Sequence, residues 1–307
     1  MSKTHAFDPP PFDPTAPLVA SGNLRRRQFV SRIVQSGATA SALAAIAVLL
    51  VIVYSVVHRG AGALSLDFLI HDPPQILGAS GGGIANAIVG TALIVTLATV
   101  VAAPVGILCA LYLVEFAGPR SRPAQLLQLA LDMMQGLPSI VVGLFILGLV
   151  VLPEHSDSGF AGSLALAIIM LPLIARTTQE VLRTVPQGLR DASDALGVDR
   201  WRSVLTVILP SALSGIVTGT ILAVARAAGE TAPLLVVDGI TSNQTTLDMF
   251  GHGVPNIPVL IFTLVESPTP GGFQRAWGAS LVLLALILIA NIGARVLLAR
   301  NRKRTGL

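Results

Sequence analysis

Six long apolar runs are spaced along the chain, at about 34–57, 84–114, 126–152, 160–182, 207–237 and 277–299. A helix needs about 20 mostly apolar residues to cross the hydrocarbon core of a bilayer, and each run meets that length. Backbone polar groups in lipid must be satisfied internally, so the runs are predicted to be helices rather than open strands. They are rich in Gly and Ala, as in helices that pack closely. The second and fifth runs are long enough to tilt or break, and Gly136 and Pro138 are placed to break the third. The pattern predicts an all-α, polytopic membrane protein with six transmembrane helices over residues 29–307. Residues 1–28 differ in kind. Asp8-Pro9-Pro10-Pro11-Phe12-Asp13-Pro14 suits neither a helix nor a sheet interior, so a disordered, Pro-rich cytoplasmic tail is expected there.

Composition agrees. Of 307 residues, 53% are hydrophobic and 12% charged, against about 25% charged in soluble domains. The basic excess does not indicate nucleic acid, because the basic residues lie at the ends of apolar runs. Lys and Arg favour the cytoplasmic side. Sixteen of the twenty fall in the N-terminal segment, the loops after the second and fourth runs, and the C-terminal end, whereas the opposite loops hold Arg59 and Arg275. Both termini are therefore expected in the cytoplasm. Arg26-Arg27-Gln28-Phe29-Val30 is similar to a twin-arginine export signal, but the following run exceeds the usual signal core of about 7–15 residues. The cluster reads as the orientation anchor of the first span. The single cysteine, Cys109, lies in an apolar run and excludes an intramolecular disulfide or a cysteine-based metal site. The histidines lack metal-ligand spacing, and no metal site is assigned.

The loop between the fourth and fifth runs, residues 185–206, carries the most specific pattern. Residues 187–196 have helix potential, with Ala192, Ala195 and Leu196 spaced for one face. Asp191 and Asp194 are expected on early turns, where the helix dipole favours anions. Gly197 is placed to end the helix in a left-handed conformation. A second short helix over 199–206 leads back to the membrane, and Pro210 opens the fifth span. A short helix, a sharp turn and a rigid return could fit a groove on a partner; an ordinary surface loop would look similar.

This loop resembles that of the binding-protein-dependent ABC importer permeases, whose pattern is Glu-Ala-Ala, three residues, Gly, nine residues, Ile, one residue, Leu-Pro. Here it is Asp191-Ala192-Ser193, three residues, Gly197, nine residues, Val207-Ile208-Leu209-Pro210. The spacing matches, with Asp for Glu, Ser for Ala and Val for Ile. Further segments are similar to the A-type membrane subunit of phosphate uptake systems: residues 81–91, Pro104–Ile107, Gly136–Phe145, Leu171–Glu180, Arg226-Ala227-Ala228-Gly229-Glu230-Thr231-Ala232-Pro233, and Ile257–Phe262. Gln179 stands where that family has an acidic residue. The resemblance implies the ABC importer type I permease architecture, an alternating-access mechanism and a prokaryotic inner-membrane location. It implies a coupling role toward an ATPase for Asp191, Ala192, Asp194 and Gly197. It also implies four partners: two ATPase subunits, a homologous second permease subunit and an extracytoplasmic phosphate-binding protein.

The chain has no Gly-x-x-x-x-Gly-Lys-Ser/Thr phosphate loop. It is expected to bind no cofactor; ATP and Mg²⁺ belong on the ATPase subunits. A transport subunit rather than an enzyme is expected, since no nucleophile–base set is evident. Charged residues are costly at the bilayer centre. Arg226, within an apolar run, is therefore expected to face protein or a water-filled path. Glu230 at i+4 can pair with it. Arginine forks suit phosphate oxygens, so Arg226, Glu230 and Arg176 are candidate path residues. A purely structural pair, and a snorkelling boundary role for Arg176, are the alternatives. Glu115 and Asp132 read as structural residues near the cytoplasmic boundary. The loop 239–275 reads as a docking surface for the delivery protein or as a connector. Importers of sulfate, molybdate or phosphonates would share the coupling loop, and a secondary anion transporter would need no ATPase.

Overall fold

The computed structural model describes residues 22–74, 82–118, 121–239, 244–266 and 269–305. Helix α1 (Gly22–Gly60) opens the described chain. The boundary expected at residue 28 thus falls within α1, and the Pro-rich stretch lies outside the described residues. The chain divides into two compact units at Ser55/Val56. The first contains most of α1, and the second holds every later element.

In the second unit, α2 (Leu66–Ile70) precedes α3 (Ala85–Leu111), which continues through a wide π turn, Tyr112–Phe116. Helices α4 (Arg122–Gly136), α5 (Ser139–Ile146), with its π turn Leu147–Val151, and the single turn α6 (Leu152–Glu154) follow. Then come α7 (Gly159–Thr184), α8 (Gln187–Ala195) and α9 (Arg200–Ser203). A π turn, Val204–Ile208, joins α9 to α10 (Leu209–Ala227). The chain ends with α11 (Ala232–Val237), α12 (Ile257–Glu266) and α13 (Pro270–Thr305). Among the described residues, five helical stretches are long and apolar enough to cross a membrane, and α4 with α5–α6 makes a sixth if counted as one span.

That sixth span is broken where Gly136 and Pro138 were expected to break it. Its two halves meet at 104°. Leu137, held extended by the following proline, and Pro138, which has no N–H to donate, end α4 and start α5 afresh. The run 207–237 is also two helices: α10 stops at Ala227, and α11 begins with Pro233 in its first turn. Proline also explains a local widening. Pro210 cannot donate to the carbonyl four residues back, Thr206, and the π turn Val204–Ile208 contains that residue.

The core lies among α3, α7 and α10. Ile94, Ala98, Leu166, Met170, Ile174, Ala223 and Ala227 are buried in one cluster. Gly106 of α3 lies against Ile174 and Leu171 of α7, while Gly215 and Gly219 of α10 meet Val181 and Thr177. Glycine lets these backbones approach closely. The last two contacts set α10 antiparallel to α7.

The segment 244–256, expected to be outer loop, is partly core. Val254 and Ile257 are fully buried, and Asn256 is almost so. Asp238, just beyond α11, ties this segment down: the Val254 N–H donates to Oδ1 (2.7 Å) and Asn256 Nδ2 to Oδ2 (3.2 Å). Burial pushes the Asp238 carboxyl from its ordinary 3.8 up to about 8, against these two hydrogen bonds and with help from nearby Asp157. The folded chain therefore keeps a proton that the unfolded chain gives up. Its contribution to stability is full below the unfolded value and is lost as pH rises toward about 8. Thermal unfolding in detergent is expected to show a melting temperature that falls from about pH 5 to pH 8, and Asp238→Asn is expected to flatten that decline.

Candidate functional site

The loop between α7 and α10 forms as the spacing predicts. α8 ends in a Schellman turn: Gly197 N–H donates to Asp194 O (3.0 Å), and Val198 N–H donates to Ser193 O (3.2 Å). Gly197 has φ +68°, in the left-handed region where a side chain is strained. The dipole argument for the two aspartates does not hold. α8 starts at Gln187, so Asp191 is in its second turn, accepting from Gln187 (3.1 Å), and Asp194 is in its last. The dipole effect fades within one turn and is adverse at the C-terminal end.

The loop has two distinct faces. Ala192, Ala195, Asp191, Asp194 and Gly197 are exposed, with Leu196 81% and Trp201 54% exposed. Leu196 and Trp201 thus hold two large apolar side chains in the open on either side of the turn between α8 and α9. The inner face carries Arg190 and Ser193. Behind it, Ala110, Leu111, Leu182, Val185, Val204 and Ile208 form an apolar cluster that joins the ends of α3, α7 and α10.

At the boundary of that cluster sits a charge group that sequence reasoning did not assemble. Glu115, in the π turn ending α3, has a fully buried side chain. Arg190 donates to both its oxygens, Nη2 to Oε1 at 2.7 Å and Nε to Oε2 at 3.3 Å. The same guanidinium donates to Leu182 O (2.9 Å) and Val185 O (2.7 Å), capping the C-terminal end of α7. Hydrogen bonding to Glu115 pushes the Arg190 pKa above its ordinary value. Arg200 donates from Nε to the Glu115 carbonyl (2.6 Å), and its Nη2 lies 3.6 Å from Oε2. One carboxylate and two guanidiniums thus join the ends of α3, α7, α8 and α9. The sequence signal was slight: an acid ending an apolar run, 75 residues from its partner.

The three candidate path residues are not brought to one point. Arg226 occupies the last turn of α10, where a cation is favoured by the dipole. It pairs with Glu230 (3.5 Å), as the i+4 spacing predicts, but its side chain is 66% exposed in the single chain. An exposed pair of this kind contributes only about 0.3–0.5 kcal/mol. Arg176, in mid-α7, pairs with Asp132 of α4 (3.6 Å), which brings together two residues read separately. By the antiparallel register of α7 and α10, Arg226 lies roughly 9 Å along the axis from Arg176. Gln179 is almost fully buried, and neither amide atom has a hydrogen-bond partner among the described residues. An amide there costs less than the buried, unpaired charge that a glutamate would bring. A mostly apolar cavity of about 220 Å³ between α3, α10 and α13 is lined by Val95, Thr96, Val224, Ala228, Leu286 and Asn291, with none of the three candidates.

The pattern of the binding-protein-dependent transport system inner membrane component family matches residues 102–303. The chain belongs to this family. It is 40% identical over 252 residues to the phosphate transport system permease protein PstA of Yersinia pestis, covering 82% of this chain and 84% of that protein. It is 39% identical to the phosphate transport system permease protein PstA 1 of Mycobacterium tuberculosis (strain H37Rv), covering 73% and 72% of the two chains. Among solved structures it is similar in fold to a chain of the MetNI methionine ABC transporter in an inward-facing form. The TM-score is 0.55 and the identity 18%, over 71% of this chain and 94% of that one. The family match spans the Glu115–Arg190–Arg200 group, the loop between α7 and α10, and both candidate arginines. As a member of this inner-membrane family, the chain is a multi-span transport subunit.

Proposed function

We propose that this chain is the membrane-spanning permease subunit of an ATP-driven importer for inorganic phosphate. The observation that carries the reading is its 36–40% identity to phosphate transport permeases over most of both lengths. The exposed apolar face of α8 and α9 supports it, as the surface on which an ATPase would seat. In this reading both termini and the α8–α9 loop are cytoplasmic. Two ATPase subunits carry ATP and Mg²⁺, a homologous permease subunit completes the path, and an extracytoplasmic phosphate-binding protein delivers the anion. Closure of the ATPases pushes on Leu196, Trp201 and the residues around Asp191–Gly197. The loop passes that motion to α7, through its last turn, and to α10, through the continuous α9–π turn–α10 helix. The bundle then alternates between outward and inward openings. The decisive test is reconstitution with the partner subunits, with ATP-dependent phosphate uptake measured in competition with sulfate. A preference for sulfate would overturn the substrate while leaving the transporter class.

Arg226 is the residue we assign to the anion path. Its exposed guanidinium faces away from this chain's core, on a surface the second permease subunit would cover, and Glu230 holds it. Arg226→Gln at wild-type membrane abundance is expected to lower phosphate uptake by about ten-fold or more, the scale of losing a charge-assisted hydrogen bond to an anion. Unchanged uptake would remove Arg226 from the path.

A further inference from the structure

The coupling loop is attached to more than the two helices that flank it in sequence. The Glu115 carboxylate belongs to α3, 75 residues before Arg190, and its side chain is fully buried. Arg190 cannot move with α8 without moving Glu115, because the guanidinium holds both carboxylate oxygens as a fork. Nor can it move without the end of α7, because its remaining donors are on Leu182 O and Val185 O. Arg200 repeats the arrangement from the start of α9 onto the Glu115 backbone. Glu115 itself sits in the π turn Tyr112–Phe116, a second π turn, Val204–Ile208, follows Arg200 by one turn of helix, and such turns are frequent at functional positions. Further along α3, Pro104 interrupts the hydrogen-bond ladder and gives the helix a place to bend.

We propose that Glu115 is a positioning residue that carries movement of the coupling loop into α3, so that α3, α7 and α10 shift together at this end of the bundle. A loop joined only to α7 and α10 could rock against α3; the buried carboxylate prevents that. The proposal rests on the ATP-driven importer reading and adds a third helix to its mechanical output. Glu115 touches no substrate. Its effect appears in how much transport each ATP yields.

The test uses the full complex, with both permease subunits, the ATPases and the binding protein, in proteoliposomes. Glu115→Gln keeps the side-chain volume and removes the charge that holds the fork. ATP hydrolysis stimulated by the loaded binding protein is expected to stay within about two-fold of wild type, while phosphate imported per ATP falls by about three- to ten-fold. Where E115Q does not accumulate, Arg190→Lys is read the same way, because a lysine keeps the charge but cannot hold Glu115, Leu182 O and Val185 O at once. An unchanged ratio would overturn the proposal, whether both rates stay at wild type or both fall in proportion, the latter reducing Glu115 to a stability role. If the wild-type complex imports sulfate rather than phosphate, the substrate assignment falls, and the same ratio taken with sulfate still decides the role of Glu115.

Discussion

Gly90→Val is expected to abolish accumulation of the folded chain in the membrane. A Cβ added at Gly90 of α3 would lie 1.8 Å from the Pro255 carbonyl oxygen and 2.7 Å from Val254 Cγ1. On the other side of Val254, Gly159 of α7 would meet Cγ2 at 2.5 Å. Val254 is fully buried and fills the space that two glycines leave between α3 and α7. A backbone oxygen cannot turn aside as a side chain can, so α3 or the 254–256 segment must move. Movement there would strain the hydrogen bonds that anchor this segment, from Val254 to Asp238 (2.7 Å) and from Ile257 to Thr91 Oγ1 (2.9 Å). Overpacking a core costs about 1–3 kcal/mol and at times more; this site is placed at about 3 kcal/mol or above because backbone is hit. Gly90→Ala is expected to show the same defect at lower severity. Membrane abundance and melting temperature in detergent measure both. Wild-type values for Gly90→Val would mean that α3 does not approach residues 254–255 this closely.

Arg190→Ala is expected to have the second-largest effect, about 3 kcal/mol of destabilisation. Breaking a buried ion pair leaves an uncompensated charge and costs about 3–5 kcal/mol. The lower end applies because Arg200 remains 3.6 Å from the Glu115 carboxylate. The variant also removes the Arg190 donor from the Leu182 and Val185 carbonyls at the end of α7, leaving Leu182 O with the Val185 N–H. Two features separate this mechanism from a general loss of helix. First, adding Glu115→Gln to Arg190→Ala is expected to recover part of the loss, since the stranded charge goes with it. Second, Arg183→Ala, an exposed arginine in the last turn of α7, is expected to change stability by less than about 0.5 kcal/mol. Equal damage from both single variants would argue against the Glu115 pair as the cause.

The two predictions concern opposite ends of α3, and neither site was legible in the sequence to the same degree. The Arg226–Glu230 contact was predictable from its short separation in sequence, although α10 ends at Ala227 and it is the turn after it that brings Glu230 to Arg226. Gly197 was predictable for a similar reason: a helix that must stop and turn needs a left-handed residue, and its φ of +68° meets that need. The break at Pro138 followed from the missing N–H. Each is a local consequence of covalent geometry. The early-turn placement of Asp191 and Asp194 failed although the helix starts at Gln187 as expected, because a helix this short is already in its second turn at Asp191 and in its last at Asp194. The outer loop 239–275 was misjudged because its buried part, Val254–Ile257, is short and carries no periodic signal. Its burial depends on glycines at positions 90 and 159, far away in the chain.

The sequence by itself determined the class of the protein: apolar runs of bilayer length with basic residues gathered at alternate ends. These follow from the cost of placing polar backbone and charge in lipid, which acts on each segment separately. Only the tertiary structure decided which charges meet. It joined the buried Glu115 to Arg190 and Arg200, set the half-exposed Asp132 beside Arg176, and left Arg226 on an outer surface, because the partners of a charge lie wherever packing brings the helices together.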